Sequence, residues 1–207
     1  MDTRSYLEYL TNQIHTVIMA TIDNLGNPFT CAIDIMDFDE QGLYFLTAKG
    51  KKLYERLKQN NTISITGLQG DNTLSSRTIT IYGKVKEIGL LRLSTLFEKN
   101  PYMYKIYPTK EGRKALTVFQ IYQGNGEFFD LSVHPIFRER FSFGNCVLER
   151  GGMFCISDNC INCDKCISVC PQKCIVYENN QTTILQEHCL HCGNCYNICP
   201  VKAVEKE

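Results

Sequence analysis

Cys160-Ile-Asn-Cys163-Asp-Lys-Cys166-Ile-Ser-Val-Cys170-Pro171 decides how the last third of this chain is read. Twenty-nine positions later the pattern returns as Cys189-Leu-His-Cys192-Gly-Asn-Cys195-Tyr-Asn-Ile-Cys199-Pro200. Apolar flanks repeat at the same offset, Ile156 with Leu185, Val169 with Ile198 and Ile175 with Val204, and Lys173 matches Lys202. The segment is an internal duplication and not a chance cluster of thiols.

The spacing has a chemical reason. Cys-x-x-Cys-x-x-Cys wraps a short loop around one corner of an iron–sulfur cubane and presents three thiolates to three irons. The fourth Cys is expected to open a short helix and turn its thiolate toward the opposite cluster. Pro then ends the local turn and removes a backbone donor. The expected ligand sets are Cys160, Cys163, Cys166 and Cys199 for one [4Fe–4S] cluster, and Cys189, Cys192, Cys195 and Cys170 for the other. Cys-x-x-Cys pairs also build zinc sites, but two full sets of four, each closed by Cys-Pro, argue against zinc. This pattern resembles the bacterial two-cluster ferredoxin over residues 152–207, a small α+β domain. Asp164 departs from it, standing where ferredoxins often carry Gly.

Two cysteines of the region stand outside the ligand pattern. Cys174 takes the place of Ala203 in the second repeat and reads as a small core residue. Cys155, in the strand-like Met153-Phe-Cys-Ile156, reads as packing. His191, between two ligands, reads as a solvated loop residue, with donation to a cluster sulfur as the sharper alternative. Residues 151–207 hold four Lys against six Asp or Glu, a formal −2. Each oxidised cubane with its four thiolates adds roughly −2 more. A basic surface on a redox partner would therefore be favoured by steering.

Working outward, the whole chain has 207 residues, 43% apolar and 21% charged, which allows one or two domains with a core of their own. Twelve cysteines are unusual, and ten lie between Cys155 and Cys199. With no export signal after Met1-Asp-Thr-Arg4, they do not read as a disulfide framework. Twenty-two basic residues balance 22 acidic ones, so no global field favours nucleic acid or anionic lipid. Apolar runs such as Val17-Ile-Met-Ala20 are too short to span a bilayer. A cytoplasmic protein without nucleic-acid or membrane partners is expected.

The N-terminal region has a different rhythm. A helix over 3–13 gives way to strand-like periodicity: His15–Ile22, a turn at Asp23–Pro28, Phe29–Met36, a turn at Asp39–Gly42, then Leu43–Thr47. Lys51–Gln59 has helical spacing, Thr62–Gly67 and Arg77–Ile88 are strands, and Leu91–Lys99 is helical. Leu116–Tyr122 and Phe128–Leu131, separated by Gly124-Asn-Gly126, read as a closing hairpin. About six strands with two helices suggest a small antiparallel barrel.

This order resembles the pyridoxamine 5′-phosphate oxidase-like family of FMN-binding split barrels over residues 10–133. The best local piece is Phe38-Asp-Glu-Gln-Gly-Leu-Tyr-Phe-Leu-Thr47-Ala-Lys-Gly50-Lys51-Lys52. The resemblance implies that Thr47 ends a strand at the flavin and that Lys51 and Lys52 hold the FMN phosphate. Two cations beside a helix start do suit an anion. It also implies that the strand with Ala32, Ile33 and Asp34 lines the isoalloxazine and that Thr78 supplies a polar contact. The family's phosphate-binding Arg falls at Cys31, which cannot pair with phosphate. The oxidase's C-terminal motif with Trp and Arg is missing, and the chain has no Trp, so pyridoxamine phosphate oxidase activity itself is not expected. Neither Gly-x-Gly-x-x-Gly nor a Walker-type loop is present.

The expected fold is an N-terminal antiparallel β split barrel with short helices (1–133), a packed linker rich in Phe (134–151) and a C-terminal ferredoxin domain (152–207). The expected function is that of an FMN-dependent oxidoreductase passing electrons between FMN and two [4Fe–4S] clusters. Its catalytic residues and substrate are not named by the sequence. The resemblance implies a homodimer with FMN at the subunit interface, and a redox partner protein or a nicotinamide cofactor is expected as electron donor. The competing expectation is a ferredoxin-type electron carrier or redox sensor without turnover.

Overall fold

The computed structural model describes residues 2–148 and 151–207. Met1, in the expected barrel, and Glu149 and Arg150, in the expected linker, lie outside the described residues. Two compact units emerge: Met1–Gln69 with Thr78–Phe128 and Arg140–Leu148, and Gly70–Arg77 with Phe129–Glu139 and Glu149–Glu207.

The first unit opens with helix α1 (Thr3–Tyr9), where the Asp2 carboxylate accepts the Ser5 N–H at 2.8 Å and satisfies one orphan donor of the first turn. The helix runs on as a π-helical turn, Leu10–Ile14. Strands β1 (Thr16–Ile22), β2 (Pro28–Asp34), β3 (Asp37–Asp39) and β4 (Gly42–Ala48) follow, then helix α2 (Lys52–Gln59) and strands β5 (Thr62–Gln69) and β6 (Arg77–Gly89). Short helices α3 (Leu93–Lys99), α4 (Met103–Ile106) and α5 (Lys110–Arg113) precede the long strands β7 (Leu116–Asp130) and β8 (Phe137–Phe143), of which residues 129–130 and 137–139 count with the second unit. The strand order is β2-β1-β5-β6-β7-β4-β3, with β8 paired to β7. The pairs β1–β2, β1–β5, β3–β4 and β4–β7 are antiparallel.

Alternation places the core. On β6, Ile79, Ile81, Gly83 and Val85 are buried while Thr80, Tyr82, Lys84 and Lys86 face solvent, the period-2 signature of a half-buried strand. On α2, Leu53 and Leu57 lie one turn apart and are the two buried residues. Met36, Tyr44, Leu46, Leu96, Phe97, Met103, Leu116 and Val118 form one core cluster, which seats α3 and α4 beside β4 and β7.

Two expectations need correction here. The hairpin at Gly124-Asn-Gly126 is absent, because β7 runs unbroken from Leu116 to Asp130. Its glycines serve close approach and not a turn. A Cβ on Gly126 would stand 2.3 Å from the Phe141 ring, and one on Gly124 would stand 2.9 Å from the Tyr82 carbonyl. The stretch read as linker contains a full strand, β8, whose Phe141 and Phe143 are buried.

The second unit contains β9 (Phe154–Ile156), α6 (Lys165–Val169), β10 (Ile175–Glu178), β11 (Gln181–Ile184), α7 (Asn194–Ile198) and β12 (Val204–Lys206). β10 pairs with β11 and β9 with β12, both antiparallel. The duplication is written into the backbone. Left-handed residues come in pairs at the 29-residue offset: Asn162 (φ 51°) with His191 (53°), Asp164 (58°) with Gly193 (79°), and Lys173 (52°) with Lys202 (53°). Asp164 thus adopts the conformation its glycine counterpart takes, which Asp tolerates better than most side chains. Phe154, Cys174, Ile175, Ile184, Cys189, Cys195 and Val204 make the core. Among the described residues no helix is long and apolar enough to cross a membrane.

Candidate functional site

Two cavities in the second unit gather the cysteines. Cys160, Cys163, Cys166 and Cys199 line one. Cys170, Cys189, Cys192 and Cys195 line the other, together with Cys174. Each cavity draws three thiols from one repeat and the fourth from the other, because α6 and α7 carry the Cys-Pro ends across. Cys170 and Cys199 close these helices as C-caps, instead of opening them as the spacing suggested.

Backbone amides aim at the sulfurs in matching ways. Asn162 N–H points to Cys160 Sγ at 3.5 Å, and its counterpart His191 N–H to Cys189 Sγ at 3.3 Å. Ala203 N–H reaches Cys199 Sγ at 3.2 Å. Burial works against the Cys199 thiolate, but the amides of Val201 to Val204 outweigh it and lower its pKa. A hydrogen bond from the Cys174 thiol lowers Cys189 to about 6 against burial, while Cys174 itself is pushed up. Cys174 is buried with its Sγ 3.5 Å from Cys170 Sγ, so it packs against two thiols of one cavity. Thiols surrounding a void, with amide donors directed at sulfur, fit a cubane held by four cysteines. Among the described residues no group of three His, Cys, Asp or Glu converges tightly enough for a single metal ion.

His191 is not the solvated loop residue expected. Its Nδ1 accepts a hydrogen bond from Arg138 at 2.7 Å, and the Arg138 guanidinium also lies 4.9 Å from the Phe129 ring centroid. Nothing in the sequence linked positions 138 and 191, which are 53 residues apart.

In the first unit, β2, β4 and the approach to α2 bring Ala32, Ile33, Asp34, Thr47 and Lys51 onto one cleft of about 220 Å³. Two other residues expected there are elsewhere. Lys52 is exposed and its Nζ pairs with Glu55 at 3.4 Å, while Thr78 sits half-buried on β6 outside the cleft wall. Met36, Met103, Ile106, Tyr107 and Leu116 complete the wall. Sequence reasoning missed the α4 segment because its four residues are too short for a periodic signal.

The cleft wall carries charge of both signs. Lys51 is the N-cap of α2 and contributes a cation. Asp34 accepts hydrogen bonds from Thr16 Oγ1 at 2.7 Å and Tyr102 Oη at 2.8 Å. His15 Nε2 stands 3.0 Å from the same Tyr102 oxygen. Burial and then the Asp34 carboxylate push the Tyr102 phenol up. Thr47, also in the wall, is buried, and its Oγ1 has no hydrogen-bond partner among the described residues. A buried hydroxyl without a partner costs free energy, and a polar ligand in the cleft would satisfy it. The donor set, apolar walls with an orphaned hydroxyl and a cation at a helix start, suits a flavin carrying a phosphate.

A family model described as pyridoxamine 5′-phosphate oxidase matches residues 5–122, more than half of the chain. The chain belongs to the pyridoxamine 5′-phosphate oxidase family. A second model, a 4Fe-4S dicluster domain, matches residues 159–203 of the same chain. This oxidase-family chain is therefore a fusion, and its two domains together point to electron transfer.

Solved structures share the fold of the family domain. A nimC/nimA family protein from Clostridium acetobutylicum aligns with TM-score 0.56 and 20% identity over 68% of this chain and 91% of that one. ChuZ from Campylobacter jejuni aligns at 0.53 and 11% over 69% and 59%. A protein related to general stress protein 26, of the pyridoxinephosphate oxidase family, also from Clostridium acetobutylicum, aligns at 0.50 and 16% over 70% and 97%. No curated protein matches the chain.

Proposed function

We propose that this chain is an iron–sulfur flavoprotein in which FMN in the cleft of the family domain exchanges electrons with two [4Fe–4S] clusters. The observation that carries the reading is the pairing of two crossed cysteine quartets with a cleft whose buried Thr47 hydroxyl has no partner. Flavin supplies two-electron exchange with a substrate and one-electron exchange with the clusters. The protein's share is placement. Thr47 offers a hydrogen bond within the cleft, Lys51 offers positive charge, and Ala32 and Ile33 give an apolar wall.

The eight cysteines hold the clusters, and the amides directed at their sulfurs stabilise the thiolate charge. A homodimer, an electron donor of the redox-protein or nicotinamide class and a cytoplasmic setting complete the proposal. Support for the dimer comes from the outer face of the sheet, where Ile18, Leu68 and Tyr82 are exposed on β1, β5 and β6.

Anaerobic purification with cofactor extraction tests the reading. It expects roughly eight iron and eight sulfide per chain and about one flavin released as FMN. Zinc without sulfide would remove the cluster half. Full iron without any flavin would leave a ferredoxin-type carrier or sensor.

A further inference from the structure

Residues 129–139 count with the second unit, and their last stretch is tied to one of its two cavities. Ile136 N–H donates to Gln172 Oε1 at 3.0 Å, His188 Nδ1 donates to the Ile136 carbonyl at 2.8 Å, and Arg138 donates to His191 Nδ1 at 2.7 Å. Gln172 lies two positions past Cys170, and His188 and His191 flank Cys189 within two positions. All three contacts converge on the cavity of Cys170, Cys189, Cys192 and Cys195, whose wall includes Gln172. They bring to it a cation from outside the duplicated sequence, which therefore has no counterpart in the other repeat.

Arg138 is oriented as well as placed. Its guanidinium carbon lies 4.9 Å from the Phe129 ring centroid, and both Arg138 and His191 are half-buried. A guanidinium can only donate, so His191 Nδ1 accepts, the imidazole is neutral with its proton on Nε2, and the positive charge stays on Arg138. The hydrogen bond from Cys174 does most to lower the Cys189 pKa, and the field of Arg138 adds to it. The other repeat is built differently at the same place. Asn162 takes the position of His191, with the same left-handed backbone and the same amide-to-sulfur contact. Its side chain is exposed and accepts from the neutral Thr182 hydroxyl at 3.0 Å. Asp164 and Lys165 stand where the other loop has Gly193 and Asn194; they are opposite in sign and exposed, so solvent screens them. Cys174, opposite Ala203, is a second difference between the cavities.

We propose that Arg138, held in place by His191 and Phe129, makes the two clusters unequal, so that the one bound by Cys170, Cys189, Cys192 and Cys195 has the higher reduction potential and is reduced first. The proposal rests on the reading of both cavities as [4Fe–4S] sites. Reduction of either site by one electron adds one negative charge inside its cavity. A fixed, half-buried cation beside the cavity favours the reduced form. Amides directed at sulfur act in the same sense, but they are matched between the repeats, whereas Arg138 is not. Arg138 acts through its field, and His191 is the positioning residue that keeps the charge near Cys189. Electrons therefore collect in this cavity when the protein is partly reduced.

A redox titration of the anaerobically reconstituted full chain, followed by the EPR signal of the reduced clusters and preceded by iron and sulfide analysis, tests this. The wild type should show two cluster steps, and Cys170→Ala should lose the upper one. Arg138→Met removes the charge and keeps much of the length. It should lower the upper step by about tenfold in the reduction equilibrium, or about 59 mV for one electron, and leave the lower step within about twofold. Arg138→Lys retains the charge and should keep the upper step within about threefold of wild type. Cys174 is present in every Arg138 variant, so the shift belongs to Arg138. The proposal is overturned by a single step in the wild type, by an upper step that survives Cys170→Ala, or by an upper step unmoved in Arg138→Met. Equal falls of both steps in Arg138→Met, or a fall as large in Arg138→Lys, overturn it as well. Should Arg138→Met not hold both clusters, His191→Asn decides. It gives the loop the residue of its counterpart, at a backbone angle that Asn162 already adopts, and releases Arg138. A narrowed gap between the steps upholds the proposal, and an unchanged gap overturns it. A wild type without iron and sulfide overturns the cluster reading and this proposal with it, a failure that the analysis distinguishes from an unmoved potential.

Discussion

The two halves of this molecule build their sites by opposite means. In the 4Fe-4S dicluster domain the cysteines lining each cavity are mostly near neighbours in sequence, three within seven residues, and a duplicated loop repeats the arrangement down to three pairs of left-handed residues. In the family domain the cleft is assembled from Thr16, β2, Thr47, Lys51 and the α4 segment, which lie up to a hundred residues apart in the chain. Local sequence carries the first site, whereas the second depends on strand order and packing. A single change should therefore do its damage in different currencies, bound iron in one half and fold stability or ligand affinity in the other.

The largest expected effect is in the cluster unit. Cys170→Ala should empty the cavity shared with Cys189, Cys192 and Cys195 and leave the Cys160 cluster, so iron falls from roughly eight to about four per chain. Cys174→Ala should retain the full complement. Loss confined to the Cys160 cluster would show that each repeat serves itself and would erase the crossed arrangement. Iron analysis of anaerobically reconstituted variants reads the difference.

A smaller effect, of the other kind, is expected at Gly126. Any Cβ there meets the Phe141 ring at 2.3–2.7 Å, so Gly126→Val should cost about 1–3 kcal/mol through overpacking. Thermal melting of the domain would report it, with iron content per folded chain unchanged. An unaltered melting temperature would mean that β7 and β8 part easily enough to accept the methyl groups.

The smallest effect concerns acid. Burial disfavours the Glu87 carboxylate, but hydrogen bonds from Lys58 and Thr117 outweigh it and hold its pKa below the ordinary value. A depressed carboxylate stabilises the fold above its unfolded pKa, near 4.3, and loses that contribution as pH falls through the folded value. Glu87→Gln should therefore melt lower than wild type at neutral pH, with the gap closing on acidification below about pH 4. A gap independent of pH would assign the loss to packing.

The same contrast governs what was legible in sequence. The grouping of the cysteines was expected from their spacing taken with iron–sulfur chemistry, and the two cavities gather the same quartets. The β6 strand and α2 followed from period. The continuous β7 did not, since Gly124-Asn-Gly126 has the composition of a turn and only the facing Tyr82 backbone and Phe141 ring reveal why glycine is there. In the cleft, Thr47 and Lys51 were visible through a local family segment. Tyr102, Met103 and Tyr107 carry no signal until tertiary packing brings them to Asp34 and Leu116. His191 was misread for the same reason, because its partner Arg138 is remote in sequence.

Electron counting tests the central claim most directly. A spectroelectrochemical titration of the protein, anaerobically purified, incubated with FMN and freed of unbound flavin, then carried low enough to reduce ferredoxin-type clusters, should take up about four electrons per chain. About two would enter with bleaching of the flavin absorbance and about one would enter each [4Fe–4S] cluster. Uptake of about two electrons without a flavin signal would contradict the account, leaving a two-cluster carrier whose family domain does other work.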